Sequence, residues 1–183
     1  MRYPEENSQR ERLVFLCRIV RKEIVHLETT FTRLFPGGQA LRPDQVQALL
    51  LAPELSEMLD AFVARFSRLQ DTVGDKLLPA LLLLSGESIG PSLDCLNKAE
   101  KFGWMESVDE WVGYRALRNQ MIHEYIEDVH VLANALNGGR SFVPRLVHTS
   151  SRIVHETEQR LNSLPCGVAD NSAVPWFVEM AGR

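Results

Sequence analysis

At 183 residues, with 45% hydrophobic and 24% charged residues, the chain has the make-up of an ordinary globular protein long enough for one hydrophobic core. Its formal charge of -4 argues against a surface that binds nucleic acid over its whole extent, because phosphate binding needs clustered Lys and Arg. A local basic cleft stays open, and since 16 of the 20 basic residues are arginines it favours planar, bidentate contacts over diffuse lysine charge.

The N-terminal stretch MRYPEENSQRER is charged and carries no apolar signal region. Helical periodicity dominates from there on, and no stretch alternates apolar and polar residues between hairpin turns, so an all-α fold is expected. A first helix is predicted from about Asn7 to Phe35, with Leu13, Leu16, Val20, Ile24, Leu27, Phe31 and Leu34 on one stripe and Gly37-Gly38 as its stop. Leu41 to Ala52 reads as a short helix or a structured loop after Pro43. From Leu55 apolar positions recur every three or four residues to a stop at Ser85-Gly86, with a kink expected at Pro79, which lacks a backbone donor. Its apolar run Leu77 to Leu84 is too short for a membrane span, and a cytoplasmic protein is expected.

Pro91 and Gly103 bracket a short helix. Ser107 and Glu110 form a capping-box pattern opening the next helix, which is expected to run through Val108, Val112, Ile122, Ile126, Val129, Ala133 and Leu136 to a stop at Gly138-Gly139. A last helix is predicted from about Val143 to Leu164, carrying Leu146, Val147, Ile153, Val154 and Leu161. Long helices with short connections predict an antiparallel up-and-down bundle of about five helices over residues 1–164, followed by a C-terminal tail over residues 165–183. Cys17, Cys95 and Cys166 lie far apart, with no close pair of the kind a zinc site or redox dithiol requires, and read as reduced packing residues. No metal or other cofactor is expected.

The segment most suggestive of chemistry is RNQMIHEY, Arg118 to Tyr125. At about 100° per residue Arg118 and Tyr125 nearly eclipse on a helix, whereas Asn119 and His123 share an adjacent stripe. Arg118 and His123 diverge by roughly 140°, so one copy of the helix does not easily aim both at one atom. A two-fold axis beside the helix would bring two Arg, two His and two Asn into one cleft, and a homodimer is expected. An imidazole able to move a proton near neutral pH and a guanidinium that stabilises charge on phosphate suit RNA cleavage without a metal. The ordinary alternatives are an Arg118 paired with Glu124, Glu127 or Asp128 on the surface and a Tyr125 that is a packed aromatic with a wet hydroxyl. Asn119 reads as lying in an apolar seam, where its amide needs a partner such as His123. His130 shares a face with His123 and Glu127 if the helix continues. His148 and His155 read as surface residues. Arg65, Arg68, Gln70, Asp71 and Asp75 form a polar band on the second long helix, either a solvated face or support for the cleft.

These residues resemble the HEPN superfamily, in particular HepT-like toxins and nucleotidyltransferase-associated helical proteins, whose signature is Arg, a polar residue, three further residues, His, one residue, Tyr. Arg118, Asn119, His123 and Tyr125 match it. The stretches Phe66 to Leu82, Leu93 to Trp111 and Tyr114 to Tyr125 are similar to that family's helices in order and spacing, and the likeness extends over about Arg10 to Leu164. The resemblance implies a helical bundle that dimerises into a metal-independent endoribonuclease, the toxin of a toxin-antitoxin pair. It gives Arg118 and His123 the catalytic roles, with Asn119 supporting them. It also implies a minimal nucleotidyltransferase as antitoxin partner, and Tyr125 as the position that partner would modify with AMP. The alternative is a non-catalytic substrate- or partner-binding subunit of a minimal nucleotidyltransferase; a purely structural dimerisation bundle would make the motif a coincidence.

Overall fold

In the computed structural model, residues 3–123 and 128–163 are described. They are all-helical, with no strand among them, and no described helix is long and apolar enough to cross a membrane. The chain runs through α1 (Tyr3–Leu34), a 3-10 turn (Pro36–Gly38), α2 (Pro43–Leu51) and α3 (Pro53–Asp71). A π-helical turn (Thr72–Leu77) leads to α4 (Leu78–Leu84), and α5 (Ser92–Lys101), α6 (Val108–His123) and α7 (Val129–Ser163) follow.

Helix α1 packs against α3 and α7, and α6 packs against α7 and α3. The expected α1 stripe faces inward: Leu13, Leu16, Val20, Leu27 and Leu34 are buried, with Ile24 and Phe31 packed at their edge. On α3 the three- and four-residue spacing places Leu59, Phe62, Phe66 and Leu69 at full burial, with Phe62 edge-on to Phe35 of the loop after α1. Leu55, the first member of that expected stripe, stays exposed. Fully burying one such side chain contributes about 1.5–3 kcal/mol, so these stripes dominate the stability of the assembly. Cys17 and Cys95 are buried free thiols, and burial pushes the Cys17 thiol up to about 11.

The two expected helix breaks turn out differently. At Pro79 the preceding turn widens into a π turn, with the Leu78 amide bonded to the Val73 carbonyl, and Pro79 then occupies the first turn of α4. Leu77 and Leu78 keep helical backbone angles, so α4 continues directly from the π turn, and that wider turn takes up the crowding a proline imposes on the turn before it.

Gly138-Gly139 does not stop a helix. Helix α7 runs straight through both glycines and through Pro144, so the predicted helix from Val143 begins instead at Val129. Leu117 and Gly138 would stand roughly 30 Å apart in one straight helix. Instead a Cβ on Gly138 would meet Leu117 Cδ2 at 2.7 Å, and a Cβ on Gly139 would meet Met121 Sδ at 3.3 Å. The chain therefore reverses between α6 and α7, and the glycines let the two helices approach closely. Asp128 marks the new start, its Oδ1 accepting from the amides of His130 at 2.7 Å and Val131 at 3.2 Å.

Candidate functional site

Helix α6 begins with half of the expected capping box. The Glu110 amide donates to Ser107 Oγ at 3.2 Å, but the Glu110 carboxylate is engaged elsewhere: it accepts from the Tyr114 hydroxyl at 3.3 Å and pairs with Arg145 of α7. Burial, then the neighbouring Glu110 carboxylate, pushes the Tyr114 phenol well above its ordinary range, so this tyrosine stays protonated. The face that α6 turns inward is Val108, Trp111, Tyr114 and Met121. Val112 and Ile122, expected on the buried stripe, are 47% and 50% exposed. Arg118 is half-buried: seven residues after Trp111 and about 20° short of two full turns, it lies along the edge of the Trp111 stripe.

The π turn of the preceding segment fixes how α6 lies. Gly74 sits in it with its Cα against the Trp111 indole, where a Cβ would come within 3.2 Å of the ring. Gln70, expected in a solvated or supporting polar band, is fully buried and donates through Nε2 to the Trp111 carbonyl at 3.1 Å. Its Oε1 and the Trp111 Nε1 are buried without a partner among the described residues. From that fixed point Arg115 and Arg118, one and two turns further along α6, reach the acids of the neighbouring segment. Arg115 pairs with Asp75, and Arg118 Nη1 donates to Asp71 Oδ1 at 2.5 Å.

The Arg118 side chain is 22% exposed and Asp71 45%, so water screens the pair and its worth lies near the 0.2–1 kcal/mol of partly exposed pairs. Its effect is on position. Asp71 takes one terminal nitrogen of the guanidinium, and Arg118 Nε and Nη2 face the Asn119 Oδ1 at 3.4 and 3.5 Å, the outer limit of hydrogen bonding. Asn119 is exposed, which corrects its placement in an apolar seam, and its partner in the structure is Arg118. The expected surface partner Asp128 is committed to capping α7.

His123 closes α6, four residues after Asn119 and on the same helical stripe as Asn119, Ala116 and Val112. Its side chain, and Glu124, Tyr125, Ile126 and Glu127 altogether, lie outside the described residues, as do Cys166 and the rest of the tail. The near-eclipse of Arg118 with Tyr125 required an uninterrupted helix and therefore falls outside them as well. A shared face for His123, Glu127 and His130 is overturned: His130 stands in the first turn of a different helix and is exposed. His148 and His155 are exposed, beside Glu106 and Gln159 respectively. Among the described residues no group of three His, Cys, Asp or Glu side chains is arranged to hold a metal ion.

Asp71 is the site residue that the motif alone did not identify. The available signal was the pairing of two spacings, acids at 71 and 75 with arginines at 115 and 118, each about one helical turn apart. The chain matches no family model, no curated protein and no solved structure.

Proposed function

We propose that this chain is a metal-independent endoribonuclease of HEPN type, an up-and-down helical bundle acting as a homodimer with α6 at the interface. The observation that supports it best is the Arg118 guanidinium, held at one nitrogen by Asp71 while its other two nitrogens face the exposed side of α6 beside Asn119. A guanidinium fixed at one corner is preorganised to meet a phosphate with the remaining edge. On that outer side Val112 and Ile122 are about half exposed, which gives a second copy apolar surface to cover.

In this reading the ribose 2'-hydroxyl attacks the adjacent phosphorus and its proton passes to the His123 imidazole of one protomer. The 5'-oxygen of the next nucleotide leaves with a proton from the imidazolium of the other, and a 2',3'-cyclic phosphate remains. Arg118 neutralises charge on the phosphoryl oxygens and Asn119 orients the guanidinium. The same proposal makes a minimal nucleotidyltransferase the antitoxin, with Tyr125 as the acceptor of AMP, a modification that would add negative charge and volume to the motif.

Purified protein in EDTA is expected to cut single-stranded RNA, and His123→Ala to lower the rate by at least about 100-fold with unchanged helix content. RNA that survives high protein concentration overturns the proposal. The acidic overall charge and the Asp71 carboxylate beside Arg118 favour a second reading, a non-catalytic binding subunit of a nucleotidyltransferase. That reading predicts a stable complex with the nucleotidyltransferase and no RNA cleavage. Intact mass after incubation with that enzyme and ATP tests Tyr125: added AMP should vanish in Tyr125→Phe, and persistence there removes Tyr125 as the acceptor.

A further inference from the structure

We propose that the groove between α1 and α3 is a phosphate-binding subsite for the RNA strand flanking the scissile bond; this rests on the ribonuclease reading and extends the substrate across the outer ridge of α3. The groove is shallow and is lined by Glu23, His26, Arg65 and Arg68. Arg65 is anchored in the same manner as Arg118: its Nη1 donates to the His26 carbonyl at 3.0 Å, which fixes the guanidinium and leaves Nε and Nη2 for a ligand. Arg68 is exposed and makes no hydrogen bond or ion pair with any described residue.

A solvated helix face is the ordinary fate of such arginines, and such a face usually pairs its cations with acids one turn away. Here Asp71 is committed elsewhere, and Glu23, which lines the groove, acts on Arg68 through its charge without a hydrogen bond or ion pair to it. Asp71, three residues after Arg68, binds Arg118, and Glu23 accepts from the Thr72 hydroxyl at 3.1 Å. Burial pushes the Glu23 carboxyl upward, and its Thr72 hydrogen bond and the Arg68 charge act in the opposite direction. Lys76 lies close enough to act on Glu23, and helical register puts Lys22 on the same side of α1 as His26. In a chain of net charge -4 this is a local surplus of cations, concentrated where focusing in a cleft strengthens it.

The connection to the motif is Asp71. Arg68 and Asp71 are three residues apart on α3, and Asp71 holds Arg118, so the groove and the motif adjoin along one helix. A strand whose scissile phosphate meets Arg118 can place a neighbouring phosphate at Arg68 and Arg65. Contacts of this kind carry affinity without reading bases.

The test uses fluorescein-labelled single-stranded RNA of about 16 nucleotides, with binding by anisotropy on His123→Ala protein and cleavage on protein with His123 intact. Arg68→Ala is expected to weaken binding about five- to tenfold and to reduce the salt slope by about one released counterion, because one phosphate contact is lost. Cleavage of a dinucleotide, too short to reach the groove, should be unchanged. Arg65→Ala should act in the same direction. Unaltered affinity and salt slope in both variants, with RNA still cut, overturn the subsite and leave the nuclease reading standing. Binding that Arg68→Ala weakens, without cleavage by the intact protein, supports the groove and removes the nuclease. Absence of both binding and cleavage overturns the two together.

Discussion

The chain contains two Gly-Gly pairs that look alike as sequence and do opposite things. Gly37 and Gly38 adopt φ of +66° and +70° and end α1, a conformation that costs an L side chain about 1–2 kcal/mol. Gly138 and Gly139 stay helical inside α7 and are used for their lack of a side chain, since α6 approaches them through Leu117 and Met121. The residues around the second pair also hold the first in place. Asn137 exchanges two hydrogen bonds with the Leu41 backbone, each 2.8 Å, and Arg140 Nη1 donates to the Gly38 carbonyl at 2.7 Å. One stretch of α7 therefore clamps the loop after α1 with its polar side chains and receives α6 at its glycines. The lesson is that a glycine pair is a stop only where nothing across the helix supplies a reason to continue.

That comparison can be broken most sharply at Gly138. Gly138→Leu should lower unfolding free energy in urea by about 1–3 kcal/mol, because the new side chain and Leu117 compete for one space. A loss that disappears when Leu117→Ala is added would locate the conflict at this contact, whereas an unchanged loss would place it elsewhere. Next in size, Asn137→Ala should cost about 1–2 kcal/mol, since two backbone groups of Leu41 lose their partner. At the other pair, Gly37→Ala should cost about 1 kcal/mol through its left-handed backbone alone, with no change in core packing, because open space surrounds its Cβ position. Smallest of all, Gly139→Ala should stay within about 0.5 kcal/mol of the parent: gained helix propensity offsets the small shift asked of the flexible Met121 side chain. If Gly37→Ala proved harmless and Gly139→Ala severe, the roles assigned to the two pairs would be reversed.

The candidate site divides in a similar way. Arg118 and Asn119 could be read as helix neighbours from their spacing, and the polar band on α3 was visible as a band. Its division was not: Gln70 is buried under Trp111, Asp71 and Asp75 take the two arginines of α6, and Arg68 turns to the groove that Glu23 also lines. Those roles depend on the π turn and on Gly74, which set where the Trp111 ring rests and hence which acid each arginine reaches. The stripe expected of Val112 and Ile122 failed because α6 buries large aromatics at a different angle, leaving apolar residues on both of its sides.

By itself the sequence determined the all-helical class, the inward stripes of α1 and α3, the ends of α5 and the placing of Arg118, Asn119 and His123 on one helix, because these follow from spacing along a single element. Only the tertiary structure decided that α6 and α7 are separate helices packed side by side, that Gly138-Gly139 is a contact, and that Asp71 anchors Arg118. Each of those depends on what stands opposite a residue across space, and a periodic pattern carries no record of the opposite partner.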